Sequence, residues 1–281
     1  MADGNTHITG IFGDPVAHSL SPVIQNAAFD AKGLNYLYLP FRVRGEHLQD
    51  AVKAILSLRL SGVNVTAPHK EKIVPYLDEL SPEAKILGAV NTIIARDGRL
   101  KGFNTDIDGF LYLLQNILPL SVKGERVCLL GAGGAARAVS LSLARAQVGH
   151  LVILNRTVEK GKAIQNLLCK NGLLGAEKTS VWQLNNLSPE AFANCSFIIN
   201  SLSVDPVEMN LLPAGGRFDS LKAAIDLRYS PPELSFLKWA SAKGCTAVNG
   251  LDMLLGQGAE AFELFTGQKA PLRVMKNALQ K

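Results

Sequence analysis

Short apolar runs rich in Val, Ile and Leu recur along the chain, separated by longer stretches in which apolar positions return every three or four residues. The runs predict buried strands and the stretches predict amphipathic helices. Residues 8–13 read as a first strand. Ser21 and Pro22 suit the N-cap and first position of a helix that reaches Ala31 and closes at Lys32-Gly33. Residues 36–43 form the next strand, and 45–60 an amphipathic helix with Leu48, Val52, Ile55 and Leu56 on one face. A strand over 62–66 breaks at Ala67-Pro68-His69-Lys70. The pattern over 71–80 predicts a helix that Pro75 kinks or delays, and Ser81-Pro82 opens another short one. Residues 91–96 and 100–103 flank Asp97-Gly98, a strong hairpin signal.

An apolar helix over 107–118 ends before Pro119 and leads into a second domain. There, strands at 127–130, 150–154, 179–182, Phe197–Asn200, 223–227 and Thr246–Asn249 alternate with helical segments. That alternation predicts a parallel, doubly wound α/β sheet. Two helices, Leu251–Thr266 and 271–280, follow the last strand. No internal repeat interrupts the series.

Composition narrows the function classes. The 281 residues supply ample core for two medium domains, and 47% hydrophobic with 19% charged residues is ordinary for a soluble globular enzyme. The net charge of +5 is scattered, which excludes nucleic-acid density and favours small anionic ligands. Cys128, Cys169, Cys195 and Cys245 are widely separated, as in a reducing compartment, and no metal site is expected. The polar start and the lack of a run of membrane-spanning length predict a cytoplasmic protein with no membrane partner.

The most informative stretch is the strand 127–130 with the turn Gly131-Ala132-Gly133-Gly134-Ala135 after it. Gly131 allows a tight turn, Gly133 lets backbone approach a ligand, and Ala136 supplies the small residue that helix–strand packing requires. A helix starting there aims unpaired N–H groups at a pyrophosphate. The next strand ends in Asn155-Arg156-Thr157, where an NAD site would carry a carboxylate. An arginine and two small polar side chains suit a 2′-phosphate instead, so the cofactor reads as NADP; a solvated Arg156 and a helix-capping Thr157 are the ordinary alternative. In the first half, Ser19, Ser21, Thr66, Lys70, Asn91 and Asp106 all fall at strand ends or just beyond, where open α/β sheets bind ligands. Singly, Ser21 reads as a cap, Asn91 as a turn residue, Asp106 as a cap and Lys70 as a surface charge; together they suit a small polyhydroxylated acid.

These segments resemble the successive motifs of the shikimate dehydrogenases. Gly13-x-Pro15-x-x-His18-Ser19-x-Ser21-Pro22, Asn64-Val65-Thr66-x-Pro68-x-Lys70, Gly88-Ala89-Val90-Asn91-Thr92 and Asn104-Thr105-Asp106 carry the likeness in the first half. The glycine turn, Asn155-Arg156-Thr157 and Asn249-Gly250-Leu251-x-Met253-Leu254-x-x-Gln257-Gly258 carry it in the second. The resemblance implies NADP-dependent interconversion of 3-dehydroshikimate and shikimate on the route to aromatic amino acids, by a monomer or homodimer. It implies a substrate domain of 1–106 plus 250–281 and an NADP domain of 107–249, the last helices returning to the first. It implies Lys70 and Asp106 as the catalytic pair, with Ser19 and Ser21 on the substrate carboxylate. Thr66, Asn91 and Gln257 are then assigned to ring hydroxyls, Tyr229 to the substrate, and Asn200, Leu227 and Gly250 to the border of the cofactor.

The chain departs from the family after Phe197–Asn200. The sequence Asn200-Ser201-Leu202-Ser203-Val204-Asp205 keeps the Asn but lacks the Thr and the Gly-Met of a loop that, in the family, approaches the nicotinamide. Leu234 replaces a common Thr after Asp226-x-x-Tyr229-x-Pro231, and Gln25 stands where the family has His or Gln. Two alternatives stay open: a quinate/shikimate dehydrogenase with relaxed substrate or NAD use, and a non-catalytic dinucleotide-binding sensor, which predicts loss of the Lys/Asp pair.

Overall fold

The computed structural model describes residues 3–184, 189–213, 218–231 and 233–280. Two compact units are present: Met1–Gly109 with Leu254–Lys281, and Phe110–Met253.

The first unit holds β1 (His7–Gly13), α1 (Ser21–Ala31), β2 (Tyr36–Arg42), α2 (Leu48–Ser57), β3 (Gly62–Val65), β4 (Glu79–Leu80), α3 (Pro82–Leu87), β5 (Thr92–Arg96) and β6 (Arg99–Phe103). Its sheet runs β2-β1-β3-β5-β6-β4. Strand β1 is parallel to β2 and β3, and β5 is antiparallel to β3 and β6. The carboxyl ends of β1, β3 and β6 and the amino end of β5 therefore share one edge, the edge with the polar motifs.

Three sequence expectations change here. Ser21 is the first helical residue of α1, with Leu20 at the N-cap, and no side chain caps that helix. In α2, Leu48, Val52 and Ile55 are buried, but Leu56 lies a further 100° round and is 39% exposed. The helix expected over 71–80 does not form. Pro75 limits it to a 3₁₀ turn at Val74–Tyr76, since proline lacks the N–H a helix needs and clashes with the preceding turn. Glu79–Leu80 instead pairs with β6, secured next to it by Asp78 N–H to the Leu100 carbonyl and Leu100 N–H to the Asp78 carboxylate.

Between the units the chain runs through α4 (Asp106–Tyr112), which passes into a π-helical turn at Leu113–Ile117 before Pro119. The second unit contains β7 (Arg126–Leu130), α5 (Gly134–Arg145), β8 (His150–Asn155), α6 (Val158–Lys170), β9 (Thr179–Gln183), α7 (Pro189–Phe192), β10 (Phe197–Asn200), β11 (Ala223–Asp226), α8 (Ser235–Ala242) and β12 (Thr246–Asn249). Its sheet, β12-β11-β10-β7-β8-β9, is parallel throughout. Alternate strand residues feed two cores: Val127, Leu129, Ile153 and Ile199 on one face, Cys128, Leu130, Val152 and Ile198 on the other. Burial on both faces is why these strands read as unbroken apolar runs.

Helices α9 (Leu251–Thr266) and α10 (Leu272–Ala278) complete the chain. From Leu254 onward they belong to the first unit. Phe262 packs on Phe29 and Phe265 on Tyr38, while Gln25 donates to the Gly258 carbonyl at 2.8 Å. A Cβ at Gly258 would come within 2.5 Å of Ile24 Cδ1, so α9 lies close against α1 at this position.

Candidate active site

Strand β6 ends at Phe103, and the turn Asn104-Thr105 delivers Asp106 to the start of α4. Asn104 fixes that turn, donating to the Ala89 carbonyl at 3.0 Å and accepting the Asp106 N–H at 3.3 Å. Lys70 follows the break after β3, and its carbonyl accepts the Val90 N–H at 2.8 Å. The two side chains meet: Lys70 Nζ lies 2.5 Å from Asp106 Oδ2. Asp106 is buried and the Lys70 side chain is one-fifth exposed.

Asn91 completes the pair. Its amide donates to Asp106 Oδ1 at 2.8 Å and to Thr105 Oγ1 at 3.1 Å. Its oxygen accepts the Thr105 N–H at 2.7 Å and the Thr92 hydroxyl at 3.0 Å. As folded, both ends of the Asn91 amide are occupied by protein, and their effect is to fix the Asp106 carboxylate.

The network continues through residues absent from the sequence-based assignment. Asn64 donates to Thr92 Oγ1 at 2.9 Å and accepts the Tyr38 phenol at 2.7 Å. Burial pushes the Tyr38 phenol far above its ordinary range, and a hydrogen bond from Ser21 only partly offsets it. A continuous chain of hydrogen bonds thus joins Tyr38 to Lys70. The available signal was Asn64 itself, a polar residue within the apolar run Gly62-Val63-Asn64-Val65. Ser19 Oγ accepts the Ser21 N–H at 3.3 Å. Thr66 begins the break after β3 and lies against Gly13, where a Cβ would collide with its methyl group. Gln257 precedes Gly258 and is located by the Gln25 contact; its amide donates to the Leu254 carbonyl at 2.9 Å.

The nucleotide residues lie in the second unit. Gly131 has φ +108° and its N–H donates to the Leu154 carbonyl at 2.7 Å, while Ala132 is buried. A Cβ at Gly133 meets nothing within 4 Å, so this turn faces open space. Helix α5 starts at Gly134-Ala135 with no side-chain cap and no acidic residue in its first turn. Its leading N–H groups suit a pyrophosphate. At the end of β8, Asn155 Nδ2 donates to the Thr157 carbonyl at 2.8 Å, and Thr157 occupies the N-cap of α6 without capping it. Arg156 is exposed and makes no hydrogen bond or ion pair with another described residue. The turn, the uncapped helix and the free guanidinium fit an NADP phosphate set. Leu227 N–H donates to the Asn200 carbonyl at 2.9 Å, and Gly250 sits so close to the Leu227 carbonyl that no Cβ fits. Tyr229, half buried, belongs to this unit, and burial raises its phenol pKa.

Among the described residues, no group of three or more His, Cys, Asp or Glu could hold a metal ion, and no helix is long and apolar enough to cross a membrane.

Comparison with known proteins agrees along the whole chain. Residues 11–93 match the shikimate dehydrogenase substrate binding domain, 112–205 the shikimate / quinate 5-dehydrogenase family, and 250–280 the shikimate 5′-dehydrogenase C-terminal domain. A shikimate dehydrogenase (NADP(+)) of Carboxydothermus hydrogenoformans is 44% identical over 99% of this chain and 98% of its own. A solved shikimate dehydrogenase in complex with NADP+ superposes with a TM-score of 0.89 at 36% identity, over 100% of this chain and 96% of that one. The shikimate 5-dehydrogenase of Thermus thermophilus, in complex with NADP(H) and shikimate, gives 0.82 at 34% identity, over 98% and 99%. With identity this high over essentially full length, and the Lys70–Asp106 pair and the glycine turn both in place, the chain belongs to the shikimate dehydrogenase family of oxidoreductases.

Proposed function

We propose that Lys70 and Asp106 are the proton-handling pair of this chain, an NADP-dependent shikimate dehydrogenase that reversibly reduces 3-dehydroshikimate to shikimate. The observation that carries the assignment is the 2.5 Å contact between Lys70 Nζ and a carboxylate fixed from its other side by Asn91. When bound, NADPH supplies the hydride. Lys70 then stabilises the oxygen that gains negative charge and delivers a proton to it, and in the reverse direction it accepts that proton. Asp106 orients the ammonium, and Asn91, Thr92 and Thr105 keep the carboxylate from turning away. Ser19 and Ser21 bind the substrate carboxylate, and Thr66, Gln257 and Tyr229 hold the remaining substrate oxygens. The four free thiols support a cytoplasmic setting, and the active species is a monomer or homodimer.

Replacing Lys70 tests the pair. Lys70→Ala should lower kcat by at least about a hundredfold while the Kd for NADPH, measured by calorimetry, stays within about twofold. Lys70→Gln, which keeps a polar partner for Asp106, should lose comparable activity. Turnover near the wild-type value in either variant contradicts the assignment.

A further inference from the structure

The loop that departs from the family pattern is firmly built. Ser201 fastens its start to the glycine turn: its N–H and hydroxyl both donate to the Leu130 carbonyl, at 2.9 and 2.6 Å, and its Oγ occupies the space a Cβ at Gly131 would need. Asn200 Nδ2 holds the Val204 carbonyl at 3.1 Å. At the far end Asp205 is buried, one oxygen taking the Val207 N–H at 3.0 Å and the other the Phe236 N–H at 3.2 Å. That second oxygen also accepts Arg228 Nη2 at 2.8 Å. Arg228 simultaneously bonds Asp226 at 2.6 Å, and Asp226 accepts from Asn200 at 3.1 Å. The residues between these anchors, Ser203 and Val204, are exposed at the tip.

Sheet order places this tip. The order reverses between β7 and β10, and a dinucleotide lies across such a reversal with its pyrophosphate on the turn after the first strand. Arg156 marks the 2′-phosphate end on the β8 side. The other half of the cofactor therefore extends over the ends of β10 and β11, where the 201–204 loop and Arg228 stand.

We propose that Asp205 and Arg228 are positioning residues whose ion pair sets the 201–204 loop as a wall for the nicotinamide half of the cofactor. The proposal rests on the NADP reading of this unit. The pair joins the ends of two neighbouring strands, β10 and β11. Its loss should loosen the ring end and leave the adenine end bound.

Two mild variants, Arg228→Lys and Asp205→Asn, retain side-chain volume and test this by calorimetry with adenosine 2′,5′-bisphosphate and with NADPH. In both, the bisphosphate Kd should stay within about twofold, while the extra affinity of NADPH over it shrinks at least about threefold. The kcat should fall at least about tenfold with the KM for shikimate little changed, and Arg228→Lys should retain more activity than Arg228→Met. Equal weakening of both nucleotides would overturn the proposal by showing general loosening of the unit. Unchanged NADPH affinity with kcat within about twofold would overturn it by showing a purely structural pair. Wild-type protein that binds neither nucleotide would overturn the NADP reading itself, and the proposal with it.

Discussion

The Arg156 guanidinium extends from the end of β8 without a partner among the described residues, and no carboxylate stands at Asn155, Arg156 or Thr157. A 2′-phosphate would supply that partner, and arginine binds phosphate with paired, charge-assisted hydrogen bonds. Arg156→Ala should therefore raise the KM for NADPH by at least about tenfold and leave that for NADH nearly unchanged, checked by steady-state kinetics with each cofactor. Equal effects on both cofactors contradict 2′-phosphate recognition. Around the catalytic pair, single residues matter through what they satisfy. Asn64 and Asn91 each bond on both amide ends, so the polar chain from Tyr38 to Lys70 has its hydrogen bonds made. A buried polar group left unmade costs about 1–3 kcal/mol, which favours a single arrangement of Asp106.

Among the elements, the glycine turn between β7 and α5 is constrained on both sides. Gly131 has φ +108°, bonds to the end of β8, and faces Ser201 from the end of β10. Gly131→Ala should weaken NADPH binding at least about tenfold and lower thermal stability, because the new methyl strains the backbone and displaces Ser201. Calorimetry and a melting curve check this; an unaffected Kd would contradict the account of the turn. This element was legible in the sequence, as was β10, because strands buried on both faces are written as apolar runs bounded by polar turns. Elements whose fate depends on contacts were less so. Periodicity over 71–80 suggested a helix, but Pro75 and the pairing of Glu79–Leu80 with β6 override it. Ser21 resembles a cap in sequence, whereas its burial against Tyr38 appears only in three dimensions. The Asp205–Arg228 pair spans 23 positions and follows from β10 and β11 being neighbours, which no local pattern encodes.

At the scale of the whole molecule, buried charge links stability to pH. Burial alone would raise the Asp205 carboxyl, but Arg228 and the N–H groups of Phe236, Val207 and Glu208 together hold it below its ordinary value of 3.8. A depressed folded-state pKa contributes stability that is present above the ordinary value and is lost as pH falls through the lower one. Wild-type unfolding free energy should therefore decline below about pH 4 more steeply than that of Asp205→Asn, measured by urea unfolding across pH. Parallel acid profiles would contradict the pairing. The two units carry the two halves of the chemistry, an acid–base pair in one and a phosphate-binding turn in the other.

The account is tested most directly by following absorbance at 340 nm with shikimate or quinate paired with NADP or NAD. Rapid reduction with shikimate and NADP, and little in the other three pairings, is the predicted result. Comparable rates with quinate or NAD would contradict the specificity assigned here, and silence in all four from folded protein would contradict the catalytic assignment.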